Sequence, residues 1–252
     1  MGYIDKRRDL FMNLNDIVLA VQSVLADKIL IVALVGTGLW FSFNLGFIQV
    51  RGFGEGFRRT FGGLFSKSGK AGKEGMSSFQ ALATAIAAQV GTGNLAGAAT
   101  AIAMGGPGAI FWMWVSAFLG MATIYAEALM AQKYKQVGDD GVVTGGPVYY
   151  IRAAFTGTFG KVLAGVFAVL IVFALGFMGN AVQSNSISDA FGTAFGVNPW
   201  IVGGIIAAIS LFVFVGGISR IASLTEKIVP VMAGFYIVGA LVVIIANGEM
   251  IP

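Results

Sequence analysis

Runs of roughly twenty apolar residues, set apart by polar stretches, decide most of what this chain can become. A run of that length, at about 1.5 Å per residue, crosses a hydrocarbon core of about 30 Å. Lipid offers backbone amides and carbonyls no partner, so only helices or closed barrels survive there. A membrane barrel needs short segments of alternating polarity, and none is found. With 57% hydrophobic and 11% charged residues, the composition exceeds the apolar content of a soluble domain. Thirty-seven glycines and ten methionines suit helices that approach closely in lipid. The fold class is therefore all-α, a polytopic membrane protein. The chain has no Cys and no His, which excludes disulfides, thiolate chemistry, imidazole bases and the usual zinc sites.

Residues 1–28 form a polar, mixed amino-terminal segment. Within it Leu10, Leu14, Ile17, Val18, Val21 and Leu25 fall at helical spacing, as in a short helix on the membrane surface. It lacks the apolar core and small-residue cleavage pattern of a signal peptide, so the first span is expected to be retained. Six spans follow from hydrophobicity: 29–50, 79–103, 109–131, 162–183, 200–216 and 228–246, with 247–252 as a short end. Residues 51–78 read as a basic loop. Gly105-Gly106-Pro107-Gly108 predicts a turn with Pro at a helix start, and Pro147 to Phe155 a short interfacial helix.

Basic residues decide orientation, because Lys and Arg collect in cytoplasmic loops. Twelve of the sixteen fall on one face: Arg51, Arg58, Arg59, Lys67, Lys70, Lys73, Lys133, Lys135, Arg152, Lys161, Arg220 and Lys227. Only Lys6, Arg7, Arg8 and Lys28 fall on the other, so the amino terminus is expected outside. The same placement explains the net charge of +4 better than nucleic-acid binding does, and no nucleic acid is expected as a partner. The basic loop reads chiefly as a topology determinant, with contact to anionic lipid as the other reading.

One stretch within the second span stands out, Ala87-Ala88-Gln89-Val90-Gly91-Thr92-Gly93-Asn94-Leu95-Ala96-Gly97. Its glycines weaken a helix, while Gln89, Thr92 and Asn94 are costly in lipid without partners. Gly91-x-Gly93-x-x-Ala96 imitates a dinucleotide fingerprint, but no strand precedes it and the next acid is Glu127. Gly93-x-x-x-Gly97 also matches a close-packing pattern for two membrane helices. A broken helix is the competing reading, with freed amides meeting an anionic group and freed carbonyls meeting a cation.

Glu127 is the only acid inside any of the six runs. An intramembrane carboxylate points to function, although pairing with a neighbouring helix is an equal alternative. Asn180 and Gln183 share a helix face at the expected outer end of the fourth span. They either line a cavity or mark where the helix meets water.

Three segments resemble a known family: Gln80-Ala81-Leu82-Ala83-Thr84-Ala85, then Val90 to Gly97, then Gly105-Gly106-Pro107-Gly108 through Trp114. They are similar to the alanine or glycine:cation symporters, as are Gly120-Met121-Ala122-Thr123, Tyr125-Ala126-Glu127 and Gly145-Gly146-Pro147. That resemblance implies Na⁺-coupled transport of small neutral amino acids rather than enzymatic chemistry. It also implies a LeuT-type scaffold of two inverted five-helix repeats, here the first repeat plus one extra amino-terminal helix. By comparison with LeuT-type proteins, the amides of Thr92 and Gly93 within Gly91-Thr92-Gly93-Asn94 are expected to meet the substrate carboxylate, with Gln89 beside them. Asn94 is expected to bind a cation, and the carbonyls of Ala87 and Val90 to serve a second sodium site. Glu127 falls on a buried acid near the site. Where that group carries a substrate-facing tyrosine, Asn180 and Gln183 are the substitutes. On this reading a second repeat is missing, supplied by a longer gene product or a partner. The alternative is a fragment or assembly subunit that does not transport. The implied home is the plasma membrane, as in a bacterial inner membrane.

Overall fold

The computed structural model describes residues 15–62, 77–139 and 143–248. The predictions for Leu10 and Leu14, for Lys67, Lys70 and Lys73, and for residues 249–252 lie outside these. Helices make up nearly all of it, in the order α1 (Asn15–Asn44), α2 (Ile48–Arg51), α3 (Phe53–Gly62), α4 (Ser78–Gln89) and α5, which starts as a π-helical turn at Gly93–Gly97 and continues as Ala98–Gly105. Then come α6 (Gly108–Lys133), α7 (Pro147–Ala154), α8 (Gly157–Phe195), α9 (Pro199–Val215) and α10 (Gly217–Ala246). Between α6 and α7, Gln136–Val137 (β1) and Val143–Thr144 (β2) pair antiparallel, Gln136 facing Thr144.

Four of these helices, α1, α6, α8 and α10, are long and apolar enough to cross a membrane, and α9 is a shorter apolar helix. Large apolar side chains such as Leu34, Phe173, Phe212 and Ile245 stand exposed along them, as lipid-facing residues do. What is buried is mostly small: Ala83, Ala122, Ala126, Ala164 and Ala222. Lipid leaves no hydrophobic gain for helix association, so contact depends on backbones coming close, and small side chains allow that. This is an all-α, multi-pass membrane protein.

Helix boundaries depart from the hydrophobic runs wherever polarity and helix breaking do not coincide. Asp27 and Lys28 do not end a helix, and α1 runs through them from Asn15 with a π-helical turn at Leu25–Leu30. It stops at Asn44, short of Val50, where Gly46 and Phe47 take positive φ of 58° and 53°. The polar residues after Gln183 likewise leave α8 intact as far as Phe195. Its end comes only at Gly196, left-handed at φ 67°, whose amide reaches the Gly192 carbonyl at 2.9 Å. Asn198 then caps α9 through the Trp200 amide, with Pro199 in the first turn. α10 begins at Gly217, so Arg220, Glu226 and Lys227 are helical rather than in a loop. The expected basic loop holds α3, and α2 lies at the end of the expected first span. Gly54 and Gly56 each cost a helix about 1 kcal/mol relative to alanine, which hid α3 from a reading by composition.

The chain divides into two compact units. In the first, which contains α1, α2 and α6 up to Met130, Gly38 lets α1 approach Leu119. A Cβ on Gly38 would stand 2.8 Å from the Leu119 Cβ and 3.2 Å from its carbonyl oxygen. Nearby, Ser42 is fully buried and donates to the Gly38 carbonyl at 2.7 Å. Its oxygen accepts from Gln49 Nε2 at 2.7 Å, and the same Nε2 lies 3.3 Å from the Phe118 carbonyl. This ties the turn after α1 to α6.

The second unit holds α4, α5 and α7 to α10. Here α4 packs along α10, and the second half of α8 packs on α9. Arg220 folds back from α10 to donate to the Phe212 carbonyl at 2.8 Å, its guanidinium 4.6 Å from the Phe212 ring centre. Gly216 leaves room for that side chain.

Gly38→Val should destabilise the protein by about 1–3 kcal/mol through overpacking. Gly36→Val, one turn-face away in open space, should change little. Thermal unfolding midpoints of the two variants in the same detergent check this.

Candidate functional site

The span that begins at Ser78 is broken in its middle. Its start is firmly capped: Ser77 Oγ accepts from the Gln80 amide at 3.1 Å, and Gln80 Oε1 accepts from the Ser77 amide at 3.1 Å. This reciprocal cap satisfies two of the amides that open a helix. The remaining Gln80 amide nitrogen donates to Glu226 of α10 at 2.8 Å, and Thr84 meets Thr225 at 3.1 Å between their hydroxyl oxygens. At twelve residues, α4 reaches about 18 Å, little more than half the hydrocarbon thickness.

At Val90 the backbone turns extended, φ −87° and ψ 106°. Three amides then leave the regular helical ladder. Gly91 donates to Asn94 Oδ1 at 3.0 Å rather than to Ala87. Thr92 donates to Gln183 Oε1 of α8 at 3.2 Å rather than to Ala88. Asn94 donates to the Gly91 carbonyl at 3.0 Å rather than to Val90. The carbonyls of Ala87, Ala88 and Val90 thereby lose their regular helix partners. An extended residue just before Gly91-Thr92-Gly93, followed by a wide turn, is what these residues favour: neither Gly91 nor Gly93 contributes a side chain to hold a helix.

Gly91 also has a steric reason to be glycine. A Cβ there would run into the Gln183 side-chain amide. Gly93, by contrast, faces open space. The residues Gly91, Thr92, Asn94 and Gln183 are thus brought together by direct hydrogen bonds or contact. Asn180 shares the helix with Gln183 but donates to the Gly176 carbonyl of its own turn at 3.1 Å. It follows a π-helical stretch, Val172–Gly179, and both residues lie within α8 rather than at its end. Gln89 is the last residue of α4 and is exposed.

Ala87 and Val90 line a cavity of about 150 Å³ beside α10, with Thr225 the polar side chain of α10 in its wall. Glu127 belongs to the first unit. It is half-buried rather than buried and lies in a groove of about 190 Å³ between α6 and α1, with Thr123 and Ser116 of its own helix. Glu226 is a further acid within a long apolar helix; it falls outside the hydrophobic run 228–246 because α10 starts eleven residues earlier, at Gly217, and continues past Pro230 without a break.

A family model for the sodium:alanine symporter family matches residues 11–252. The chain belongs to that family. It is 45% identical over 244 residues to the sodium/alanine symporter AgcS of Methanococcus maripaludis, which covers 96% of this chain and 53% of that protein. Against the amino-acid carrier protein AlsT of Bacillus subtilis it is 45% identical over 225 residues, 89% of this chain and 46% of that protein. Against the probable sodium/glutamine symporter GlnT of Bacillus subtilis it is 44% identical over 239 residues, 95% and 48% of the two. The chain spans about half the length of these relatives. The family segment takes in the break, α8 and α10, so each side chain discussed above lies inside the matched region.

Removing the acceptor for the Thr92 amide should expose it. In Gln183→Ala, amide hydrogen exchange at Thr92 is expected to quicken about five- to tenfold, as a hydrogen bond worth roughly 1 kcal/mol is lost. Exchange within Ala98–Gly105 should stay as it was.

Proposed function

We propose that this chain provides the first half of a sodium-coupled symporter for small neutral amino acids, alanine or glycine, working by alternating access. The observation that carries the reading is the break from Val90 to Gly93. It turns amides of Gly91 and Thr92 toward side-chain oxygens and frees the carbonyls of Ala87 and Val90 within a few residues. Amides directed at an oxygen suit a carboxylate, and freed carbonyls suit a cation that has left its hydration shell. An amino-acid zwitterion with Na⁺ beside it answers both needs.

In this proposal the substrate carboxylate is held by the amides of Thr92 and Gly93 beside Gly91, displacing Gln183 Oε1 from the Thr92 N–H. Gln183 then turns to the substrate, with Asn180 and Gln89 on the same path. Asn94 Oδ1, which carries lone pairs beyond the one used by Gly91, gives one ligand to Na⁺. The carbonyls of Ala87 and Val90 serve a second sodium. Glu127, an acid inside a membrane span, balances cationic charge. The open side at Gly93 supports room for a ligand there.

The helices fit a LeuT-type first repeat in which α1 is the extra helix. The halves α4 and α5 form the broken first core helix, and α6, α8, α9 and α10 are the other four, making six spans in all. Since the shared stretch covers about half of each relative, a second repeat is proposed to close over the ligands. The twelve basic residues on one face support a plasma or bacterial inner membrane, with the amino terminus outside. Alternating access asks α4 to move about the break, and its polar contacts with α10 are where that motion is held.

Cells without alanine carriers of their own, expressing this chain together with a second repeat, should accumulate labelled alanine along an inward Na⁺ gradient, with glycine competing. An oxygen facing a cation contributes roughly 1.5–3 kcal/mol, so Asn94→Ala should raise the Na⁺ needed for half-maximal uptake about 10- to 100-fold while membrane insertion stays normal. Unchanged sodium dependence sinks the cation role of Asn94. Alanine flux that ignores the gradient would make the protein a passive pore.

A further inference from the structure

The helix α3 is not used by the proposed transport site, and its residues are divided by chemistry. Phe53 and Phe57, four apart, share one face and are 69% and 57% exposed. In the sequence Phe61 continues the same spacing. On the opposite face stand Glu55, Arg58 and Arg59. Arg58 Nη2 and Arg59 Nε each lie 2.6 Å from a Glu55 carboxylate oxygen. The Arg59 hydrogen bond, with the charge of Arg58 beside it, holds the Glu55 carboxyl below the usual carboxylate range.

The polar face therefore keeps a fixed pattern of one anion between two cations, a net positive charge. Low overall hydrophobicity with apolar and charged residues fully segregated is the mark of a helix that lies in the membrane surface rather than across it. Aromatic rings favour that depth, and cations there meet lipid phosphates. Only a short turn and α2 separate α3 from the membrane-length helix α1 in the chain, which keeps it close to the headgroups.

We propose that α3 is an in-plane anchor that seats Phe53 and Phe57 below the headgroups of a bilayer and binds anionic lipid through Arg58 and Arg59. The occupant is lipid, not a protein partner: a ring face of this size flanked by guanidiniums matches acyl chains under phosphates. Glu55 serves to align the two guanidiniums on the water side. This site is independent of the break at Val90 and stands or falls apart from it.

The absence of Cys makes single-cysteine labelling of the full chain clean. Spin labels at Phe57→Cys, Arg58→Cys and, as a membrane reference, Gly36→Cys in α1 would be read in lipid nanodiscs by collision with oxygen and with a water-soluble nickel chelate. In discs containing phosphatidylglycerol, the label at 57 should be oxygen-accessible and nickel-shielded like that at 36, and the label at 58 the reverse. In discs of phosphatidylcholine alone, or with Arg58→Gln and Arg59→Gln added to Phe57→Cys, nickel accessibility at 57 should rise several-fold. The proposal is overturned if the 57 and 58 labels are equally open to nickel in anionic discs. It is likewise overturned if 57 is shielded from both reagents, as under protein, or if its signal is the same in neutral lipid. A lipid-like signal at 36 certifies folding in each variant.

Discussion

In a hydrocarbon medium every backbone amide and carbonyl has to find a partner within the protein, because water is not there to supply one. Long helices such as α6 and α10 meet the requirement by their own ladders. At Val90 the ladder fails, and the groups set loose there are what the rest of the second unit is arranged to serve. Side-chain oxygens of Asn94 and Gln183 take up two of the amides, while the carbonyls of Ala87, Ala88 and Val90 lose their regular helix partners. A helix interrupted in this way costs stability, and in the proposed function the same displaced hydrogen bonds are what a ligand would use.

Supporting the break are contacts that keep its two sides in place without closing it. The cap formed by Ser77 and Gln80 anchors the start of α4, and Gln80 spends its last donor on Glu226. The short α4 is thus held along α10, with polar contacts near its start, and a backbone amide just past its end is bound to α8. Small residues of these two helices, Ala83 and Ala222, are buried, since association in lipid gains from close approach and not from removing apolar surface from water. In the first unit close approach appears again where Gly38 admits Leu119, beside the buried hydrogen bond from Gln49 Nε2 to Ser42.

Much of this was legible in the residues. Lipid-length apolar runs identify a membrane protein of helices, and the motif from Val90 to Gly97 marks both the family and the place where a helix stops being regular. The weakness of a run-based reading is equally specific. Asp27, Lys28 and the polar residues after Gln183 were read as ends of helices, yet polarity shifts a helix's depth and leaves its hydrogen bonds untouched. The true stops, Gly46 with Phe47 and Gly196 with Asn198-Pro199, are conformational. α3 was overlooked for the converse reason, its glycines outweighing the regular spacing of Phe53 and Phe57.

By itself, the sequence determined the all-helical membrane class, the location of the break and the residue types able to serve it, because solvent matching and helix propensity are local properties. Which side chain meets which freed group was decided only in three dimensions. Gln183 is far from Thr92 in the chain, and Glu226 is farther still from Gln80. Nothing in either local pattern distinguishes these from Asn180, which bonds within its own helix. Partner choice depends on how two helices are set side by side, and that is fixed by packing at residues such as Gly91, where the lack of a side chain is the condition for the contact.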